Sequence, residues 1–555
     1  MKKLVCLMVT LILLVYGKAF AATKVSGKIN KDTLWTLKQS PYLVTKTVTV
    51  KPNARLTIEP GVNIQFSSKT KKKTKLVIEG NLSAEGTPGQ IIKFTSDDIV
   101  KPKQWNGIIF NKSGNSTLAY TQIEGATSGV ACFYSSPKIY NSKFINNEVG
   151  IVCEDFSSPE IVNNQISENG NRVSSPGGIS CNLYSSPKIS NNVIEKNVGN
   201  GITTSTFSSP RIENNTIYHN EGHGILTLSL SDPIIINNDV AFNGSSCGIT
   251  CYQSSPVIMG NKVHDNKGHG ISTAIGGTPI IVNNDINNNG AGIAVVASSP
   301  KIFFNTLREN NASISILYKS KPVINYNQME SYKDHVLKLE KACETIDARN
   351  NWWGMTDIPS IENNILGFSR TQVQLDPIKN EKITLEEYSL LSKNLLLEKR
   401  QTAAIANYPW QILDNKILFS SYRDGNWEIY LTNNNGTLLK NLTNNPANDE
   451  WPNWSPDGKK VIFTSKREKS ENTGVYVLTM NENLSLNKIS KIDNINKEYA
   501  TWSPKGDKIS FRDEFDNLYI MENNGKNKVS ITSAGLIAKD YPGFQAILNV
   551  WLQTE

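Results

Sequence analysis

Asp239, Lys262 and Asp285 recur at intervals of 23 residues, and His264 follows Lys262 by two places. Carboxylates and an imidazole at fixed spacing are the groups that acid–base chemistry at a glycosidic bond requires. For that spacing to matter, the chain must return to the same place every 23 residues. If each return adds one strand, the two carboxylates stand about 9–10 Å apart, near the upper end for a water-mediated acid/base pair. The competing reading is a surface charge ladder in which Lys262 bridges both aspartates, an arrangement that contributes little to stability. A lysine between two carboxylates tends to keep both charged, the reverse of what a general acid needs. The ladder takes precedence, so Asp239, Lys262, His264 and Asp285 are catalytic candidates without an assigned reaction.

Two further sets invite chemistry. Tyr134, Phe156, Tyr184 and Phe207 each stand three residues before a repeated proline. Facing outward, such a row would stack on sugar rings; facing inward, it would pack in a core. A one-residue change in a turn reverses the facing, so both readings stay open. The chain has five histidines, His219, His223, His264, His269 and His335. His223 and His269 occupy equivalent positions two repeats apart, too far to share one ion directly. His219 and His223 are the local alternative, and neither a metal nor another cofactor is expected.

What must position these residues is a tandem array. Ser-Ser-Pro or a close variant ends at Pro137, Pro159, Pro187, Pro210, Pro233, Pro256, Pro279, Pro300 and Pro322, at spacings of 22, 28, 23, 23, 23, 23, 21 and 22. The one long interval places an inserted loop at Asn171 to Pro176. Isoleucine stands two residues after every proline, from Ile139 to Ile324. Asparagine stands five after it in eight of nine repeats, and ten after it in eight of nine. Position seven is always apolar. A period near 22 with three short strand patterns per repeat predicts a parallel β-helix, in which identical residues stack coil on coil. Stacked asparagines would hydrogen-bond their side-chain amides along the axis, so they are structural. Positions five and seven point inward, which turns positions six and eight outward, including Asp239, Lys262, His264 and Asp285. Cys132, Cys153, Cys181 and Cys251 fall on one inward face and are expected to be buried thiols.

The opening coils run through Ser40-Pro41-Tyr42, Leu56-Thr57-Ile58-Glu59-Pro60-Gly61, Ile78-Glu79-Gly80-Asn81-Leu82 and Trp105-Asn106-Gly107-Ile108. This succession resembles the start of exported bacterial right-handed parallel β-helix proteins of the pectin-lyase-like superfamily, with repeats similar to the periplasmic accessory family of nitrous-oxide reductase maturation. Asn350-Asn351-Trp352-Trp353-Gly354 resembles the segment that closes such helices, which implies that the tryptophans plug the open end. The resemblance spans about 25–377 and implies fold, not reaction. Gly222-His223-Gly224 and Gly268-His269-Gly270 resemble an element of polygalacturonases, but the accompanying aspartate motifs are missing, so hydrolase chemistry is not carried over.

A second repeat follows Asp414. Trp454-Ser455-Pro456-Asp457-Gly458 recurs as Trp502-Ser503-Pro504-Lys505-Gly506, each followed by strand patterns such as Val461-Ile462-Phe463 and Val475-Tyr476-Val477. These resemble TolB-type β-propeller blades. About three fit, whereas closed propellers need four to eight. Open edges attract pairing, so cover by a helix near Leu391 or by a second chain is expected.

The fold expected is all-β: a right-handed parallel β-helix followed by a partial β-propeller-like module. The boundaries are a signal peptide at 1–21, the β-helix at 22–377, a helical linker at 378–409 and the propeller-like module at 410–555. Lys2-Lys3, the apolar run Leu4 to Tyr16 and the small residues before Ala21 have the layout of an export signal. No later run is long enough to span a bilayer. The formal charge is +8, and residues 22–112 carry 16 Lys/Arg against 6 Asp/Glu. The basic knot around Lys69 to Lys75 lacks interleaved aromatics, so it reads as a solvated loop, and nucleic acid is not an expected partner. The expected function is a non-catalytic exported binding or scaffold protein for a cell-envelope or extracellular polysaccharide. The alternatives are a polysaccharide lyase, hydrolase or epimerase, and a protein–protein interaction module acting through the propeller repeats, with an envelope protein or a second copy as partner.

Overall fold

The computed structural model describes residues 22–382 except 71, 99, 172–175, 245, 340–344 and 368–371. It also describes residues 410–530 except 414–415, 422–425, 434–438, 468–473, 482–485, 495–499, 504–505 and 513–517. The expected export signal and the helix expected at Thr384 to Ala406 lie outside the described residues. The chain divides into two units, Met1–Tyr388 and Ser389–Glu555.

In the first unit each repeat supplies three strands. One coil runs Lys138–Tyr140, Lys143–Ile145 and Val149–Glu154; the next runs Glu160–Val162, Gln165–Ser167 and Pro176–Cys181. Neighbouring coils pair parallel and in register, with Ile139 opposite Ile161 and Ile161 opposite Ile189. The first strands build a 15-stranded sheet from Thr33–Trp35 to Val373–Gln374. The nine isoleucines after the prolines are fully buried, as are the apolar residues at position seven, from Phe144 to Met329. Each such side chain contributes about 1.5–3 kcal/mol by leaving water, and only stacking makes that burial possible.

The corners are held by asparagine. Asn163, Asn191 and Asn214 adopt left-handed φ of 57°, 56° and 55°, and each is followed by an inward asparagine. Asn164 donates to Asn192 Oδ1 at 3.0 Å and to the Ile139 carbonyl at 3.0 Å, so its amide satisfies backbone that the corner takes out of the strand ladder. This ladder runs on to Asn351, whose Oδ1 accepts the Asn327 amide at 2.8 Å. The closing Asn-Asn-Trp-Trp-Gly segment is thus the last rung, and Trp353 is fully buried in the core beside it while Trp352 is half-buried. The glycine near the start of most third strands reflects close coil-to-coil approach: a Cβ at Gly178, in Pro176–Cys181, would lie 2.2 Å from the Gly201 carbonyl oxygen.

The second unit contains three antiparallel four-stranded sheets among its described residues, beginning at Trp410–Leu413, Asp449–Trp454 and Ala500–Trp502. Leu418, Ile429, Val461 and Phe463 form the core between the first two, and Ile462, Val475, Trp502 and Phe511 that between the second and third. The Ser455–Gly458 turn closes with the Gly458 amide donating to the Ser455 carbonyl at 2.8 Å, Gly458 having a φ of 67°.

Candidate functional site

The aromatic row lies on the outside. Tyr134, Phe156, Tyr184 and Phe207 have φ of 49°, 59°, 61° and 61°, in the turn that follows each third strand. Their rings stack along the axis with centroids 6.1, 5.1 and 5.1 Å apart and planes inclined by 25°, 5° and 6°. Tyr134 is 41% exposed and the other three are half-buried. The centroid steps follow the strand spacing of about 4.7–4.9 Å, one ring per coil. The row is therefore a staircase of rings on the surface, one step per coil. Lys112 Nζ lies 5.6 Å from the Tyr134 centroid at one end.

The staircase borders the outward face of the third strands. From Ser128–Phe133 to Ala312–Leu317, nine such strands carry one charged side chain, Glu154. Thr203, Thr250, Ser272 and Ser315 lie on this face, with Thr250 opposite Ser272. On its far side, His223, Cys247 and His269 precede Gly224, Gly248 and Gly270, the glycines that open three successive third strands. His223 Nδ1 accepts the Cys247 amide at 3.3 Å and lies 2.9 Å from Thr250 Oγ1; His269 Nδ1 accepts the Ala291 amide at 3.1 Å. Burial holds both imidazoles below their ordinary pKa. Burial also pushes the Cys247 thiol up, against the hydrogen bonds it receives from the His269 backbone, Thr250 and Ser272. Among the described residues, no group of three His, Cys, Asp or Glu side chains is placed to hold a metal ion.

The catalytic candidates lie on the outward face of the second strands, where Asp239, Lys262 and Asp285 pair in register on three successive coils. The expected lysine bridge is not formed. Among the described residues Lys262 makes no ion pair with either aspartate; His264 Nε2 stands 3.0 Å from Asp239 Oδ1, and Arg308 donates to Asp285 Oδ2 at 2.7 Å. Each carboxylate is engaged instead from position eight of the next coil, diagonally across the strands. His264 Nδ1 also lies 2.6 Å from Asp265 Oδ2, so the ring, whose side chain is 13% exposed, is held between two carboxylates. Burial would raise the Asp265 pKa, but hydrogen bonds from His264 and Asn288 hold it below the usual value. Glu195 is likewise kept low, against burial, by Tyr218, Gln165 and Lys196.

Asp265 and Phe242 were not identifiable as members of this cluster by counting alternate positions. Both stand nine residues after a proline, at the second corner, with φ of 53°. That left-handed corner swings position nine outward beside position eight. Phe242 is 48% exposed, stacks on His219 with centroids 5.2 Å apart, and meets the His264 ring edge-on. The signal lay in the repeat itself, since position nine is always the residue before the second asparagine.

These two faces belong to a right-handed β-helix. Residues 107–259 and 177–329 match the family described as right handed beta helix region, and residues 405–542 match the TolB beta propeller domain. No curated protein matches the sequence significantly. Solved structures similar to the chain include the periplasmic alginate epimerase AlgG, at 17% identity and a TM-score of 0.42 over 59% of this chain and 84% of that one. The A-module of the mannuronan C-5 epimerase AlgE4 of Azotobacter vinelandii gives 16%, 0.33, 61% and 90%. TolB from Acinetobacter baumannii gives 25%, 0.18, 21% and 29%, so the chain spans under a third of that protein. Among the described residues, no helix is long and apolar enough to cross a membrane.

Proposed function

We propose that this is an exported polysaccharide-binding protein that holds a glycan along the outside of its β-helix without cleaving it. The observation that carries the reading is the aromatic staircase from Tyr134 to Phe207. Rings repeated at one per coil offer successive sugars equivalent apolar contacts, and the Ser180 and Thr203 hydroxyls on the coils of Tyr184 and Phe207 offer hydrogen bonds. The layout proposed is an export signal at 1–21, the β-helix at 22–377, a linker at 378–409 and a propeller-like module at 410–555. The test is affinity electrophoresis of the full mature chain through gels containing soluble polysaccharides. Retardation that is lost in Phe156→Ala and Tyr184→Ala supports the reading; equal mobility of wild type and variants in every gel overturns it.

A second reading, catalysis on a polysaccharide, draws on the gathering of Asp239, His264, Asp265, Asp285 and Arg308 from four coils. In either reading the propeller repeats bind an envelope protein or a second copy. Sedimentation of the full chain across concentrations separates these two partners, self-association appearing as a rise in mass.

A further inference from the structure

Two neighbouring faces of the solenoid differ in charge. The second-strand face carries Asp239, Lys262, His264, Asp285 and Arg308, most of them paired with one another. The third-strand face, which the staircase borders, has Glu154 as its one charged side chain in nine strands. An anionic glycan needs cations along its track, because burying unpaired carboxylates costs more than ring stacking returns. Near the staircase Lys112 already lies over the Tyr134 ring, Lys188 and Arg211 beyond the turn are paired with Glu213, Lys138 stands opposite Glu160, and Glu154 and Asp155 stand beside Phe156. Those two carboxylates repel each other and would repel a uronate; Asp155 contributes, after burial, to the raised proton affinity of Glu154. The chain's excess of lysine is concentrated in residues 22–112, mostly in earlier coils.

Resting on the binding reading above, we infer that the ligand of the staircase and its adjoining Ser/Thr face is a neutral glycan, not a uronic-acid polymer. The rings supply contact with the apolar faces of pyranose rings, and Ser180 and Thr203, in register on the coils that carry Tyr184 and Phe207, supply uncharged hydrogen-bond partners. Ring steps of 5.1–6.1 Å repeat over four coils, which suits an extended chain of three to four sugars. Binding of this kind draws little on charge and is insensitive to salt, whereas recognition of a polyanion weakens as salt screens it.

The test compares the full mature chain on a soluble neutral β-glucan, a galactomannan, polygalacturonate and alginate, each at low and high salt. Expected is binding to at least one neutral polymer that changes less than twofold with salt. Tyr184→Ala should weaken it about five- to tenfold, Tyr184→Phe should preserve it, and Glu154→Gln should leave it unchanged. Glu154→Lys should create salt-sensitive binding to polygalacturonate. The inference alone is overturned if an acidic polymer binds in a Tyr184-dependent way and the neutral ones do not. If no polymer of either class responds to Tyr184→Ala, the binding reading falls and the inference with it. Salt-sensitive retention of acidic polymers that ignores Tyr184→Ala, with no neutral binding, also overturns it and points to the basic early coils.

Discussion

Asn215 Nδ2 lies 2.9 Å from Asn238 Oδ1, one coil further along the solenoid. The same amide donates to the Ile189 carbonyl at 3.0 Å, and Asn215 Oδ1 accepts the Asn192 amide at 2.9 Å. All of these groups are buried, so removing one side chain strands a backbone donor and a backbone acceptor together. Asn215→Ala is expected to cost about 2–4 kcal/mol, and Asn215→Asp at least as much, because a carboxylate oxygen would then face the Ile189 carbonyl. Urea denaturation reads the shift. Hydrogen exchange should show lost protection concentrated in the coils on either side, since each repeat contacts only its neighbours. A uniform loss along the whole solenoid would contradict this.

Cys132 and Cys153 are register partners on adjacent coils, and both are fully buried and free, as is Cys181. Stacked in-register residues point their Cβ atoms in parallel, a poor geometry for a disulfide. Burial pushes the Cys132 thiol well up, and a hydrogen bond with Cys181, with burial, does the same for Cys153. A thiol reagent at neutral pH should therefore reach Cys247, the half-buried thiol among those described, before any of these. Labelling of Cys132, Cys153, Cys181 and Cys251 should await unfolding. A Cys132–Cys153 bridge found by peptide mapping would refute the prediction.

The repeats made most of the β-helix legible. The isoleucine and asparagine columns are where the period places them, because an unbroken ladder demands the same residue type at each coil. The facing of Tyr134, Phe156, Tyr184 and Phe207 was not legible, since it depends on turn length. Tyr134 ends a turn with one left-handed residue, whereas Asp155 and Phe156, Leu183 and Tyr184, and Thr206 and Phe207 form left-handed pairs. The partners of Asp239 and Asp285 were not legible either. Alternation tells which side chains share a face, but the competition between Lys262, His264 and Arg308 for a carboxylate depends on side-chain length and on corner geometry.

His223 and His269 make stability depend on pH in a definite direction. Burial lowers both folded-state pKa values below the ordinary 6.5, so below that pH the unfolded chain binds more protons than the folded one. Stability is therefore unaffected by these groups above about 6.5 and falls as pH drops through and below it. Asp265 acts in a separate, lower window: its depressed value adds stability above 3.8 that is lost as pH falls further, through the folded value. Thermal midpoints should fall between pH 7.5 and 5.0, and the His223→Asn, His269→Asn double variant should fall less. An identical pH slope in the variant would exclude these two residues as the cause.

The protein is expected to show no turnover of pectate, alginate or neutral glycans. A general base needs a lone pair free to take a proton from substrate. The His264 ring has Nδ1 2.6 Å from Asp265 Oδ2 and Nε2 3.0 Å from Asp239 Oδ1. Both ring nitrogens are thus aimed at carboxylate oxygens of the protein itself, and neither is directed at a substrate. Asp285, the remaining carboxylate, is engaged by Arg308 at 2.7 Å. Each group is thus paired within the surface ladder; the Arg308–Asp285 pair is exposed enough that its loss should cost only about 0–1 kcal/mol, whereas losing the contacts of the largely buried His264 ring should cost about 1–3 kcal/mol. Incubation with a polysaccharide panel, followed by detection of new reducing ends and unsaturated products, provides the measurement. Asp239→Asn and His264→Gln should fold as the wild type does and leave the null result unchanged. Product formation by the wild type that disappears in either variant would show instead that substrate displaces one carboxylate and frees the imidazole, and the second-strand face would then be an active site.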